Sequence, residues 1–308
     1  MTIQTMPLGG PMDVLERAAV GAPISRSGIS LFPLYVIQPF TPAIATGIAD
    51  AIRIDENDQQ MVSTIKVTSL IDKPFLLVEG ETFKGGLQQR TLNVSVLVPP
   101  RVELDIPVSC VEAGRWSGDR SFDGVSGQVS RRVRRAKAEG VAQNVRLADH
   151  KASDQHAVWE SVDGELCRLA APSPTRNYAD AEMLFDQRDD LADSVGELTE
   201  LGPLPGMCGV VVGHGRRIVS AEVFADAELF AAKWDQIVRS IILDAPDDVV
   251  GRPSPTAALR FVQRLARAKP LTSSGVGLGF EGHIQSPNLV GQTLVWDELL
   301  VHAVGFAT

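Results

Sequence analysis

The sequence is poor in the features that would narrow its function at once. Only three cysteines, Cys110, Cys167 and Cys208, stand in 308 residues, and no two form a CxxC pair. Each sits in or beside an apolar run. That excludes a disulfide framework and points to reduced, mostly buried thiols in a cytoplasmic protein. The five histidines, His150, His156, His214, His283 and His302, form no HExxH, no HxH and no Cys/His cluster. No metal site is therefore expected from histidine, and no motif names a cofactor. A carboxylate-held Mg²⁺ or Ca²⁺ is spelled out by nothing either. GxSxG and GxxxxGK[ST] are missing. GVGLGF, from Gly275, puts Phe280 where the last glycine of GxGxxG belongs, and no helix follows, so it is not a dinucleotide fingerprint. No apolar run approaches the roughly 20 residues needed to span a bilayer. The N-terminal MTIQTMPLGGPMDVLERA lacks a basic region followed by an apolar one. A soluble chain with no membrane partner is expected. Excess positive charge is absent too: the formal net charge is −9, which disfavours nucleic acid as a partner.

What is present is an ample core, with 44% hydrophobic and 22% charged residues. ISLFPLYVI (29–37) and STIKVTSLI (63–71) have the composition and alternation of strands. FLLVE (75–79) fits a buried strand, and GETFKGG a glycine-rich loop or irregular hairpin. In LQQRTLNVSVLVP, Leu92, Val94, Val96 and Val98 share one face of an extended chain. Leu104, Ile106, Val108 and Cys110 share one face of the next run. Residues 117–128 are expected to be loop. Helical patterns follow: about Gln128–Arg146 with a basic RRVRRAK turn, a helix capped by Asp154, and an acidic helix over 178–193. RRVRRAK is expected to be a solvated helical face. MCGVVVGHGRRIVSAEVF predicts a hairpin, AELFAAKWDQIVRSIILDA a strongly apolar-faced helix, and residues 255–268 another. Three short strands end the chain, with Asp297-Glu298 as a hairpin tip. Runs of strands and helices that do not alternate predict α+β: an antiparallel sheet core from N- and C-terminal strands, a helical insertion and packed helices. Residues 1–24 are expected as an N-terminal segment. Residues 25–308 are expected as one α+β domain with the insertion at about 120–200.

The chemistry concentrates in residues 75–116. Glu79 and Glu81 are two apart, so an extended backbone would place both carboxylates on one face. Such a pair can hold ribose hydroxyls or divide acid and base roles. Glu112, at a strand end, is a third catalytic candidate. Gln88, Arg90 and Asn93 offer amide groups and a planar guanidinium fork suited to phosphate or carboxylate. Arg115 and Trp116 can clamp an anion and stack on a ring. Cys110 falls in phase with the core, which argues against a nucleophilic thiolate. Against all of this stands a plainer expectation, that the polar groups form a structural hydrogen-bond network fixing sheet register.

EGETFKGGLQQRTLN followed by VLVPPRVELDIPVSCVEAGRW resembles the signature of a family, the ADP-ribosylglycohydrolase- and rhodanese/phosphatase-associated protein domain. Val158-Trp159, GVVVGHGRRIVSAEVF and KWDQIVRSIILDA are similar to its downstream elements, so the resemblance spans about residues 25–307. It implies Glu79, Glu81, Gln88, Arg90, Asn93, Cys110, Glu112, Arg115 and Trp116 as the family's polar positions. It also implies association with ADP-ribose chemistry, hence a small nucleotide such as ADP-ribose as a ligand. The other expectation from the sequence is a non-catalytic interaction module.

Overall fold

Alternation decides the architecture of the C-terminal half. In CGVVVGH, Val210 and Val212 point one way and Val211 the other, and each face needs its own cover. The computed structural model describes every residue except 1–9, 27, 39–41, 58–61, 149 and 246–248. In it, Gly209–His214 is an interior strand of a nine-stranded antiparallel sheet. It pairs on one side with Arg217–Phe224 and on the other with Ile29–Tyr35, Ile29 standing opposite His214. Beyond Arg217–Phe224 come Leu299–Phe306, Leu289–Trp296, Phe280–Ser286 and Leu271–Ser274. Ala19–Val20 and Ile24–Arg26 both pair with Ile29–Tyr35. N- and C-terminal strands thus share one sheet, and the fold is α+β.

Both faces of this sheet are covered. Phe32, Leu34, Val211 and Ala303 pack with Phe261, Val262 and Leu265 of the helix Pro255–Ala266 and with Leu15 of the 3-10 helix Pro11–Arg17. Leu31, Val210, Val212 and Val301 face Val133 of the helix Arg131–Ala148 and Ile237 and Val238 of the helix Trp234–Asp244. Helices Gln155–Arg168, capped by the Asp154 carboxylate, and Asp189–Leu201 extend that second layer. Among the described residues, no helix is long and apolar enough to cross a membrane.

Six strands of the 52–128 region form a separate sheet. Its order is Phe122–Gln128, Glu81–Gly85, Arg90–Leu92, Glu103–Cys110, Thr64–Ser69, Ile52–Glu56. The two outer strands meet. Asp55 bridges Ser121, and the Glu56 N–H donates to the Arg120 carbonyl at 2.6 Å. The sheet closes around Ile54, Ile65, Val67, Phe83, Leu92, Ile106 and Val108, which leaves no open edge at that seam. A two-stranded ribbon, Phe75–Leu77 with Val96–Val98, ties this unit to the large sheet. Leu278 N–H donates to the Leu97 carbonyl at 2.8 Å. A Cβ on Gly277 would overlap the Leu97 carbonyl, so GVGLGF uses its glycine for close strand approach rather than for a phosphate.

Several local expectations are corrected. FDGVSGQ is not a loop: Phe122–Gln128 pairs with Glu81–Gly85, with register shifts where its glycines sit. GETFKGG takes the hairpin alternative, since Glu81–Gly85 also pairs antiparallel with the next strand, Arg90–Leu92. The alternating run Leu92–Val98 is two strands in two sheets, not one, and both its faces are buried. The acidic helix breaks into Tyr178–Glu182, Leu184–Gln187 and Asp189–Leu201. Residues 1–9 of the expected N-terminal segment lie outside the described residues.

Candidate functional site

Gly80 sets the geometry of the candidate site. It adopts a left-handed conformation (φ 85°), and the Glu81 N–H turns back to the Val78 carbonyl at 3.1 Å. The chain is therefore not extended between Glu79 and Glu81. The expectation that the two carboxylates share a face fails for that reason, and they enter different networks.

Glu79 joins a closed ring of buried polar groups. Arg134 Nε donates to Glu79 Oε1 at 2.6 Å, while its Nη1 and Nη2 form a fork on Glu222 at 2.9 and 2.7 Å. Lys137 Nζ reaches Glu79 Oε2 at 2.6 Å and also donates to the Leu92 carbonyl. Glu222 Oε1 lies 3.1 Å from His302 Nε2, His302 Nδ1 lies 3.0 Å from Ser95 Oγ, and Ser95 Oγ accepts from the Glu79 N–H at 3.0 Å. The cations Arg134 and Lys137 face the carboxylates Glu79 and Glu222, one for one. Burial alone would raise the Glu222 carboxyl, but the Arg134 guanidinium and His302 hold it down to about 2. An ionised Glu222 accepts from His302 Nε2–H. His302 Nδ1 and Ser95 Oγ share the other hydrogen bond, whose direction follows the ring's tautomer. Burial lowers Lys137, with Glu79 opposing the shift.

Ser95, His302 and Glu222 have the connectivity of a Ser-His-acid triad. They do not have its accessibility. Ser95 and His302 are fully enclosed, and Ser95 Oγ already accepts from the Glu79 N–H. These three groups therefore tie the strands Arg217–Phe224 and Leu299–Phe306 to the segment that carries Ser95.

Glu81 belongs to a second network. Its carboxylate accepts from Lys233 Nζ, from Gln236 Nε2 at 3.0 Å and from the Val78 N–H at 3.0 Å. A third lies under the same helices. Asp244 pairs with Arg131 at 2.7 Å and stands 3.4 Å from Arg132, which also reaches Glu165 at 3.1 Å. His214 Nδ1 stands 3.7 Å from Asp244; burial, helped by Arg131, Arg132 and Arg168, drives His214 down to about 4. An enclosed cavity of about 20 Å³, water-sized, lies between Arg131, Arg134, His214, Glu222 and Asp244. RRVRRAK is thus not a solvated face. Arg131, Arg132, Arg134 and Lys137 are consumed by carboxylates within the chain.

Gln88, Arg90, Cys110 and Trp116 come together elsewhere, at the small sheet. Arg90 and Cys110 are directly opposed across the strand pair Arg90–Leu92 and Glu103–Cys110, so their side chains share a face. Gln88 Oε1 accepts from Arg90 Nη1 at 3.1 Å and from Cys110 Sγ at 3.2 Å. Glu56 lies 3.6 Å from Arg90, in ion-pair range but beyond a good hydrogen bond. The Arg90 side chain is 0% exposed, yet its Nε and Nη2, and Glu56 Oε2, have no hydrogen-bond partner among the described residues. Trp116, 47% exposed, lies over the Arg90 guanidinium at 5.6 Å. Burial pushes the Cys110 thiol up to about 11 against the pull of Arg90, so it is protonated at neutral pH.

Glu112 and Arg115 flank this cluster and fasten its loops. Arg115 Nε donates to both Glu112 oxygens at 2.9 Å, Nη1 donates to the Gly86 carbonyl at 2.9 Å, and Nη2 donates to the Gly85 carbonyl at 3.3 Å. Glu112 also accepts from the Gln89 N–H at 3.1 Å and Thr175 at 3.2 Å. Asn93 is apart from all of these, donating to the Lys151 carbonyl at 3.1 Å and accepting from Ser109 at 2.6 Å. Among the described residues, no group of three or more His, Cys, Asp or Glu is placed to hold a metal ion.

A family model for the ARG and Rhodanese-Phosphatase-superfamily-associated Protein domain matches residues 17–306. The chain belongs to this family. No curated protein and no solved structure matches it. The family's matched span reaches from the strand Ala19–Val20 to the end of Leu299–Phe306, so all three buried networks and the Arg90 cluster lie inside it. For this ARG and Rhodanese-Phosphatase-superfamily-associated domain, the polar positions in residues 75–116 were visible in sequence. Their partners Glu56, Arg134, Lys137, Glu222, Lys233 and His302 were missed. One signal was available: Glu222 interrupts the apolar run IVSAEVF, where a strand buried on both faces tolerates a charge only when it is paired.

Proposed function

We propose that the chain binds ADP-ribose or a related NAD-derived nucleotide at the Arg90–Trp116 cluster. The observation that carries this reading is the pair of unsatisfied guanidinium donors on a fully buried Arg90. A buried donor without an acceptor costs about 1–3 kcal/mol, and an anionic oxygen would satisfy both once Trp116, which lies over the fully enclosed guanidinium, swings aside to admit it. A half-exposed indole beside them offers a stacking surface for a base. Gln88 orients the guanidinium, and the Glu112–Arg115 pair holds the loops on either side. The family's description names ARG; read as ADP-ribosylglycohydrolase, as the sequence resemblance implies, it supports the choice of nucleotide. In this reading Glu79 and Glu81 are structural counter-ions rather than acid and base, because internal cations already engage both.

Titration calorimetry with ADP-ribose, NAD and AMP tests the proposal. Binding is expected for at least ADP-ribose, weakened about tenfold by Trp116→Ala, a half-exposed position where truncation leaves the fold intact. A folded sample that binds none of the three would remove the proposal. The second reading, a non-catalytic interaction module, is favoured by the internal pairing of Glu79 and Glu81. It expects Trp116→Ala to change neither stability nor any nucleotide affinity.

A further inference from the structure

A second feature lies on the far side of the large sheet, away from the Arg90 cluster. The helix Pro255–Ala266 carries Arg260, Arg264 and, at its C-cap, Arg267 along one face, at i, i+4 and i+7. Lys269 continues the row. Together with the end of the strand Phe280–Ser286, they line an open groove of about 560 Å³, within the range of small-molecule sites. Among the described residues, no carboxylate lines it. In a chain with a net charge of −9, four cations on one groove with no carboxylate in its lining are an exception to the composition. Arg267 reaches Glu16 at 3.3 Å across a solvent-exposed gap, and Arg264 rests on the ring of its own neighbour Phe261. Arg260 and Lys269 have no ion-pair partner among the described residues. Apolar side chains, Leu289 among them, form part of the groove wall.

We infer that this groove binds an oligophosphate chain. Arg260 and Arg267 are about 10 Å apart along the helix axis. One exposed ion pair contributes little, so a ligand must present several anionic groups within that length. An extended acidic peptide puts same-side carboxylates about 7 Å apart and would seat about two of them. A phosphate chain carries charge on every unit, and planar guanidinium forks match its oxygens. The same chemistry is offered by free inorganic oligophosphate and by the tail of a nucleoside polyphosphate, whose base would lie against the wall at Leu289.

Calorimetry on the full chain at low salt decides this, using inorganic tripolyphosphate, ATP and a hexa-aspartate peptide as separate probes. Tripolyphosphate is expected to bind. Arg260→Gln/Arg264→Gln should weaken that binding at least tenfold with an unchanged melting temperature, since both side chains lie on the open groove. Trp116→Ala should leave it untouched, which separates this groove from the nucleotide proposal above. ATP binding tenfold tighter than tripolyphosphate would assign the base to the wall at Leu289, while equal affinities would assign the phosphate chain alone. The inference is overturned by any of three results: no binding of either phosphate probe, binding undiminished in the double variant or lost in Trp116→Ala, or the peptide binding as tightly as tripolyphosphate. If the cations serve only to complement the helix C-terminus, the double variant melts lower and no probe binds.

Discussion

Removing Lys137 should unbalance the interior in a way that a second removal repairs. Lys137 is fully enclosed, and its ammonium faces Glu79 and the Leu92 carbonyl. With Arg134 it supplies two positive charges against the two negative charges of Glu79 and Glu222. Lys137→Met keeps the stem volume but leaves the ring with one uncompensated carboxylate. Breaking a buried pair from one side costs about 3–5 kcal/mol. For a chain of this length that corresponds to a fall in melting temperature of about 5–8 °C. Glu79→Gln added to Lys137→Met restores the one-for-one pairing. Arg134 then keeps its two-pronged contact with Glu222, and the amide oxygen introduced by Glu79→Gln can still accept from Arg134 Nε. The double variant should therefore be more stable than Lys137→Met alone, with a coupling of about 2 kcal/mol or more. Urea unfolding followed by tryptophan fluorescence, run on the wild type, both single variants and the double variant, measures this coupling directly. If the losses add within about 0.5 kcal/mol, the charge-balance account of the ring is refuted. The same holds if Lys137→Met proves harmless.

The other expectations are briefer. Folded His214 stays neutral down to about pH 4, whereas an unfolded histidine titrates near 6.5. The unfolded chain thus binds the extra proton first, and about 3 kcal/mol of stability is lost as pH falls from 6.5 to 4. Glu222, held at about 2 against a usual 4.5, adds a loss as pH falls from 4.5 towards 2. Burial raises the Glu182 carboxyl to about 7, so the folded chain takes up that proton first and opposes the loss as pH falls from 7 to 4.5. The test is therefore the comparison of unfolding midpoints with His214→Asn, which should lose less stability than the wild type between pH 6.5 and 4.5. Iodoacetamide at neutral pH should alkylate exposed Cys167 and spare Cys110 and Cys208, which are buried with raised thiol pKa values. Peptide mass spectrometry showing Cys110 labelled at a comparable rate would contradict its enclosure. Gly277→Ala should cost about 2 kcal/mol or more by forcing a methyl group against the Leu97 carbonyl, and a melting curve superimposable on the wild type would contradict that contact.

Legibility from sequence followed how local each determinant was. The hairpin Gly209–Phe224 and the last three strands announce themselves by strict alternation around short turns. Asp297 and Glu298, both with positive φ, form the tip that their position implied. Phe122–Gln128 was illegible because its two glycines and its polar residues carry no strand preference of their own. It is a strand because Glu81–Gly85 is beside it. The polar residues of the site were recognisable by type. Their grouping was not, because one left-handed glycine, Gly80, reverses the parity on which the pairing of Glu79 with Glu81 rested. The role of RRVRRAK depends on acids at positions 79, 165, 222 and 244, and nothing in a single chain of letters ties a basic helix to carboxylates so far away along it.

The placement of Ile29–Tyr35 has a consequence for biosynthesis. Its neighbour in the large sheet, Gly209–His214, leaves the ribosome about 175 residues later. At roughly 5–20 residues per second, this apolar strand emerges on the order of 10–35 s before its interior partner exists. During that interval only the short flanking strands Ala19–Val20 and Ile24–Arg26 can pair with it. The nascent chain therefore carries an unsatisfied hydrophobic edge through most of its translation, a substrate for holding chaperones and the point at which a stalled or truncated chain would begin to aggregate.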